Sequence, residues 1–163
     1  MRKFKVKILI YIIVLLFISN CKYFTPTREE IVGEWIPVPD TPKEIKVFYS
    51  LPTVVIKKQP RLIFKDDGTL IVENMPGLIL ANPFEHWVGI YSGKGTWRLG
   101  EDQGSYVVFM DIDFTKGYSK YPGVETQIEV SKFFNEVSLF FWIGEEGSDR
   151  FEFVKVKNNK KNK

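Results

Sequence analysis

Cysteine and histidine are almost absent from this sequence: Cys21 and His86 are the sole examples of each. A single thiol forms no internal disulfide, so the fold must rest on its packed core. One imidazole does not supply the ligand spacings of a zinc site, and a His-based triad would have to use His86. That residue stands in Phe84-Glu85-His86-Trp87, which reads as a loop anchored by aromatic rings. No glycine-rich phosphate loop or nucleophile elbow occurs either. The carboxylate pairs have turn or solvent roles: Asp66/Asp67 and Glu145/Glu146 lie in turns, and Asp111 and Asp113 on a wet strand face. These absences lead to the expectation of a protein that is not an enzyme, with no catalytic residue, metal or cofactor. Long apolar runs are also scarce, and the one present lies at the start.

Arg2, Lys3, Lys5 and Lys7 precede an unbroken eleven-residue apolar stretch from Ile8 to Ile18, followed by Ser19, Asn20 and Cys21. A basic segment, a short apolar segment and small residues form the layout of an export signal. The apolar stretch is well below the roughly 20 residues that span a bilayer, which makes an uncleaved anchor the weaker alternative. Ile18-Ser19-Asn20-Cys21 resembles the lipobox of bacterial lipoproteins, with Asn20 departing from the commoner Gly or Ala. The resemblance implies that residues 1–20 are removed and that Cys21 is lipidated, which also accounts for a lone thiol in an exported chain. Each buried methylene contributes about 0.8 kcal/mol and two acyl chains hold stably, so the membrane is the expected partner through Cys21. Lys22 is not the aspartate associated with inner-membrane retention, which points to the cell envelope and its outer membrane.

Four of the 23 basic residues precede Cys21, so 19 face 20 acidic residues and the remainder carries a net charge of −1. Nucleic acid is not an implied partner. A basic tail ends the sequence, with Lys160, Lys161 and Lys163 among asparagines. Two readings stand for it: a solvated terminus, or contact with anionic lipid headgroups.

The residues after the signal divide into a tether over 21–30, a domain over 31–157 and the tail over 158–163. Fourteen Phe, seven Tyr and four Trp with few helical periods favour sheet. Ile31 to Trp35 opens the domain, and the prolines at 37, 39 and 42 make the segment to Pro60 irregular apart from a short strand near Thr53 to Lys57. Arg61 to Lys65 and Thr69 to Glu73 flank Asp66-Asp67-Gly68 as a hairpin. Further strands are expected at Gly93 to Leu99, Tyr106 to Phe114, Val124 to Phe133, Val137 to Ile143 and Arg150 to Lys157. Positions 106, 108, 110, 112 and 114 are all apolar, which gives that strand one core face. Met75 to Phe84 is apolar and longer than a hairpin needs; it reads as a loop or short helix capping a barrel end, a lid over a cavity, or a partner surface.

Gly33-x-Trp35, Leu62-x-Phe64-x-x-Asp67-Gly68-Thr69 and Gly95-Thr96-Trp97-x-Leu99 together resemble the bacterial lipocalin-like domains. The resemblance implies an all-β antiparallel meander closed as an up-and-down barrel of about eight strands, with a tryptophan plugging one end. It also implies binding of a small apolar ligand by residues such as Phe64, Trp97, Tyr106 (or Phe109, depending on register) and Phe141. The alternative is an envelope interaction protein with a filled core, acting as structural factor, inhibitor or immunity partner. About eight strands leave a lumen that either side chains or a small ligand can fill.

Overall fold

The computed structural model describes residues 25–40, 44–45, 54–80, 89–116, 123–143 and 149–157. Cys21, His86 and the tail beyond Lys157 lie outside the described residues. A one-turn helix α1 (Arg28–Ile31) precedes β1 (Gly33–Pro37), and β2 (Glu44–Ile45) and β3 (Val54–Val55) pair separately. Then follow β4 (Arg61–Phe64), β5 (Thr69–Pro76), a second one-turn helix α2 (Gly77–Leu80) and β6 (Ile90–Asp102). The last strands are β7 (Ser105–Lys116), β8 (Gly123–Phe133), β9 (Glu136–Ile143) and β10 (Asp149–Lys155). Eight strands close an antiparallel barrel in the order β1-β10-β9-β8-β7-β6-β5-β4, so the expected up-and-down architecture is present. Closure falls to five-residue β1, in which Trp35 pairs with Leu62 of β4 on one side and Lys155 of β10 on the other.

Local chemistry explains most of the elements. In the β4–β5 turn Gly68 adopts φ +86, and Asp67 Oδ1 accepts the Thr69 N–H at 2.8 Å, the self-bonding geometry that makes Asp a turn residue. On β7 Val108, Met110 and Ile112 are buried, Tyr106 and Phe114 half-buried, and Asp111 and Asp113 exposed, as the alternation requires. A side chain at Gly95 of β6 would overlap the Asp111 carbonyl, so β6 and β7 curl together there only because position 95 has no Cβ. Register shifts between Val72 and Met75 and between Ser92 and Gly93 add to the bend that closes the sheet.

The inward faces form one apolar cluster that includes Ile31, Trp35, Phe64, Trp97, Phe151 and Phe153. Each such side chain contributes about 1.5–3 kcal/mol on burial, which makes this lumen the main source of stability. Several strands are longer than the sequence suggests. β6 gains three residues at each end beyond Gly93 to Leu99, because bulges and turns carry no strong apolar alternation. The short strand expected near Thr53 is β3, and its partner β2 carries no comparable signal.

Candidate functional site

The two ends of the barrel are built differently. At one end α1 lies across the lumen, with Ile31 fully buried beneath it. Trp35 Nε1 donates to Ile31 O at 2.7 Å, Lys155 Nζ donates to Glu30 O at 2.8 Å and Glu29 O at 3.3 Å, and Lys132 Nζ reaches Thr25 O at 3.0 Å. Four residues cannot sustain a helix by local bonds, so the Trp35 and Lys155 side chains supply partners for carbonyls that the short helix leaves open, while Lys132 ties down the chain just before it. Thr27 N–H donates to Glu30 Oε2 at 2.8 Å, one half of a capping box. Lys132 also bonds the Glu30 carboxylate at 2.9 Å, and its side chain is only 6% exposed.

Electrostatics at this end follow from the same packing. Burial pushes the Lys155 ammonium below its ordinary 10.5, with Glu30 partly opposing. Burial acts to raise the Glu30 carboxyl, but the Lys132 hydrogen bond, the Thr27 N–H and the charges of Lys132 and Lys155 together hold it below the ordinary 4.5.

All three short motifs converge on this plugged end. Trp97 Nε1 donates to Lys65 O at 2.9 Å, its ring meets Phe64 edge-on at 5.3 Å, and the Arg28 guanidinium lies 4.4 Å from its centre. Arg28 continues to Asp66 O at 2.9 Å, fastening α1 to the β4–β5 turn. Gly33 has φ +140, and a Cβ there would come within 2.6 Å of Lys155 Cε, so the glycine is what lets the lysine stem pass.

At the opposite end α2 leaves β5 and touches β8 and β9 on the far wall, so it crosses the opening. Leu80 is fully buried and Ile79 is 5% exposed, both within the core cluster alongside Met75 and Tyr91. Gly77 N–H donates to Gly89 O at 2.9 Å. Among the described residues no side-chain hydrogen bond or ion pair fastens α2 to the walls. The described half of the 75–84 segment is therefore the end of β5 followed by a short helix over the barrel mouth; residues 81–84 lie outside the described residues.

Of the ligand-contact residues expected from sequence, Phe64, Trp97 and Phe141 point inward and are 1%, 4% and 6% exposed. Phe64 and Trp97 meet at the plugged end, whereas Phe141 packs with Phe153 at 6.3 Å on the opposite wall. Tyr106 is half-buried near the α1 rim, its hydroxyl 3.4 Å from Thr25 Oγ1. Phe109 lies on the outer face with the Arg98 guanidinium 3.8 Å from its ring centre, which settles the register in favour of Tyr106 as the inward residue. The residues that line the α2 mouth, namely Met75, Ile79, Leu80, Tyr91 and Phe114, were not singled out as contacts. Tyr91 was detectable as the upstream continuation of the 93, 95, 97 alternation.

A cleft of about 760 Å³ opens beside the plugged end, where Glu30, Trp35, Phe133, Asn135, Val156 and Lys157 meet. A shallower one of about 310 Å³ lies on the outer wall around Thr96, Phe109 and Glu125. Comparison of the chain with protein-family models, curated proteins and solved structures gives no match.

Proposed function

We propose that this protein is a lipid-anchored component of the cell envelope that holds one small apolar molecule in its barrel without transforming it. Cys21 carries the lipid, the outer membrane is the site, and the ligand enters at the end covered by α2. The observation that carries this reading is the asymmetry of the two ends. α1 is tied down by Trp35, Lys132, Lys155 and Arg28, whereas α2 rests on the apolar side chains of Ile79 and Leu80. Apolar contacts exchange readily for those of an apolar ligand, but each charged hydrogen bond at α1 would have to be broken at a cost of about 1.5–3 kcal/mol. A ligand that displaces Ile79 and Leu80 would meet Met75, Tyr91 and Phe114.

Native mass spectrometry of residues 22 to 163, purified gently from the producing host, tests the binding. A discrete added mass that disappears after denaturation is expected. A bare protein mass would favour the alternative, an envelope interaction protein, which draws support from the near-complete burial of Phe64, Trp97, Phe141, Phe151 and Phe153 among the core side chains. The anchor is tested separately by palmitate labelling: wild type should incorporate label and Cys21→Ala should not.

A further inference from the structure

We propose that the cleft where β9 and β10 part is a second binding site, separate from the lumen, for a small amphipathic acid whose anionic head reaches Lys155. The β9–β10 ladder ends at the Ser138–Val154 pair. Beyond it β9 runs on to Glu136 in register with β8, and β10 runs on to Lys155 opposite Trp35 of β1. Each strand keeps one neighbour and parts from the other, so the wall opens at this rim. The cleft of about 760 Å³ occupies that opening, and its volume lies in the range of small-molecule sites.

Its lining joins the two faces of the wall. Ser138 and Val154 form a cross-strand pair on the outer face, where Val154 is 36% exposed. Trp35 belongs to the core and Val137 packs against it. Lys155 stands opposite Trp35, and cross-strand partners share a face, so its stem runs inward and its ammonium ends at the backbone of α1. A molecule seated in the cleft lays an apolar body along Val137, Val154 and Val156 and brings its head to the lysine.

Charge selects the sign of that head. Lys132 and Lys155 both reach α1, and one carboxylate serves them: Glu30 bonds Lys132 at 2.9 Å and offsets the Lys155 charge only in part. Among the described residues the two hydrogen-bond partners of Lys155 Nζ are neutral carbonyls, Glu30 O at 2.8 Å and Glu29 O at 3.3 Å. A half-buried ammonium held by neutral dipoles keeps a charge that its surroundings solvate poorly, and an entering anion offsets it with a charge-assisted bond. The other carboxylates of the lining stand elsewhere. Glu152 faces Arg150 at 3.7 Å, and Glu136 is exposed at the mouth, which Lys157 also lines.

Every described strand and helix lies within residues 28–155, so nitrogen-labelled residues 22–163 carry the fold to be tested. Heteronuclear NMR follows titration with decanoate, decanol or decyltrimethylammonium, each below its micelle concentration. Decanoate should shift the amides of 136–138 and 154–157 saturably. It should bind at least about tenfold more tightly than decanol, the lower end of what a hydrogen bond to a charged group contributes. Lys155→Met should erase that preference while decanol still binds. Ser138→Trp fills the cleft and leaves Lys155 on its carbonyls, so it should abolish binding of both ligands; it decides the location even where Lys155→Met loosens α1. Absence of saturable shifts at 136–138 and 154–157, equal affinity for decanoate and decanol, or tighter binding of decyltrimethylammonium would overturn the proposal. Decanoate shifts confined to Met75 to Leu80 and Tyr91 would also overturn it, and would instead mark entry at the α2 mouth, so the lumen and the cleft fail separately.

Discussion

Replacing Gly33 by alanine should dislodge the α1 plug, and the structure allows the magnitude to be worked out. The residue holds φ +140, where an L side chain is strained by about 1–3 kcal/mol. Its new Cβ would fall 2.6 Å from Lys155 Cε, driving the lysine from its bonds to Glu29 O and Glu30 O. A hydrogen bond from a charged donor contributes about 1.5–3 kcal/mol, and the 3.3 Å bond less than the 2.8 Å bond. Urea denaturation followed by tryptophan fluorescence should therefore show a loss of about 2.5–6 kcal/mol, the sum of strain and the better bond. The decisive measurement is the same substitution in a Lys155→Ala background. There the collision is gone, and Gly33→Ala should cost only the backbone strain, leaving a coupling of about 2 kcal/mol in the double-mutant cycle. Equal costs in the two backgrounds would refute the argument that the glycine exists to let the lysine pass.

Acid should loosen the same end. The Glu30 carboxyl is held below its ordinary 4.5, so its contribution is complete above that value and is lost as pH falls through the folded-state pKa. Urea midpoints measured below pH 4.5 should fall more steeply for wild type than for Glu30→Gln, and parallel curves would remove Glu30 from the plug's pH dependence. Leu80→Ala should destabilise the protein by about 2–5 kcal/mol, as expected for a fully buried leucine; a loss below about 1 kcal/mol would mean that α2 does not seal the mouth. Phe134→Asn should raise stability by about 1 kcal/mol, because asparagine tolerates φ +54 and phenylalanine does not. An unchanged or lower thermal midpoint would show that the Phe134 ring contributes to the fold itself.

Much of the barrel was legible in the residues. The alternation from Tyr106 to Phe114 and the Asp66-Asp67-Gly68 turn are local signals, and they define strand faces and a hairpin wherever the chain goes next. The residues leave the choice between Tyr106 and Phe109 as the inward one to the register, and the structure places Phe109 outward under Arg98. The ligand-contact residues were less legible. Phe64, Trp97 and Phe141 are inward aromatics, but strand periodicity says which face a residue occupies and nothing about its height in the barrel. Only the three-dimensional arrangement separates Phe64 and Trp97, beneath the plug, from the α2 mouth lined by Met75, Tyr91 and Phe114.

The sequence by itself determined a chain with one thiol after an eleven-residue apolar run, an alternating all-β pattern and no local catalytic motif. What only the tertiary structure decided is how the ends are used. Thr27-x-x-Glu30 starts the turn over Arg28–Ile31 with a capping box, but a single turn is too short to hold by itself, and Lys132 and Lys155, more than a hundred positions away, meet its carboxylate and its backbone. An even number of up-and-down strands returns the chain to the end from which it started. Thr25, the Phe133-Phe134 tip and Lys157 consequently gather on one rim, a relation that no local pattern of residues contains.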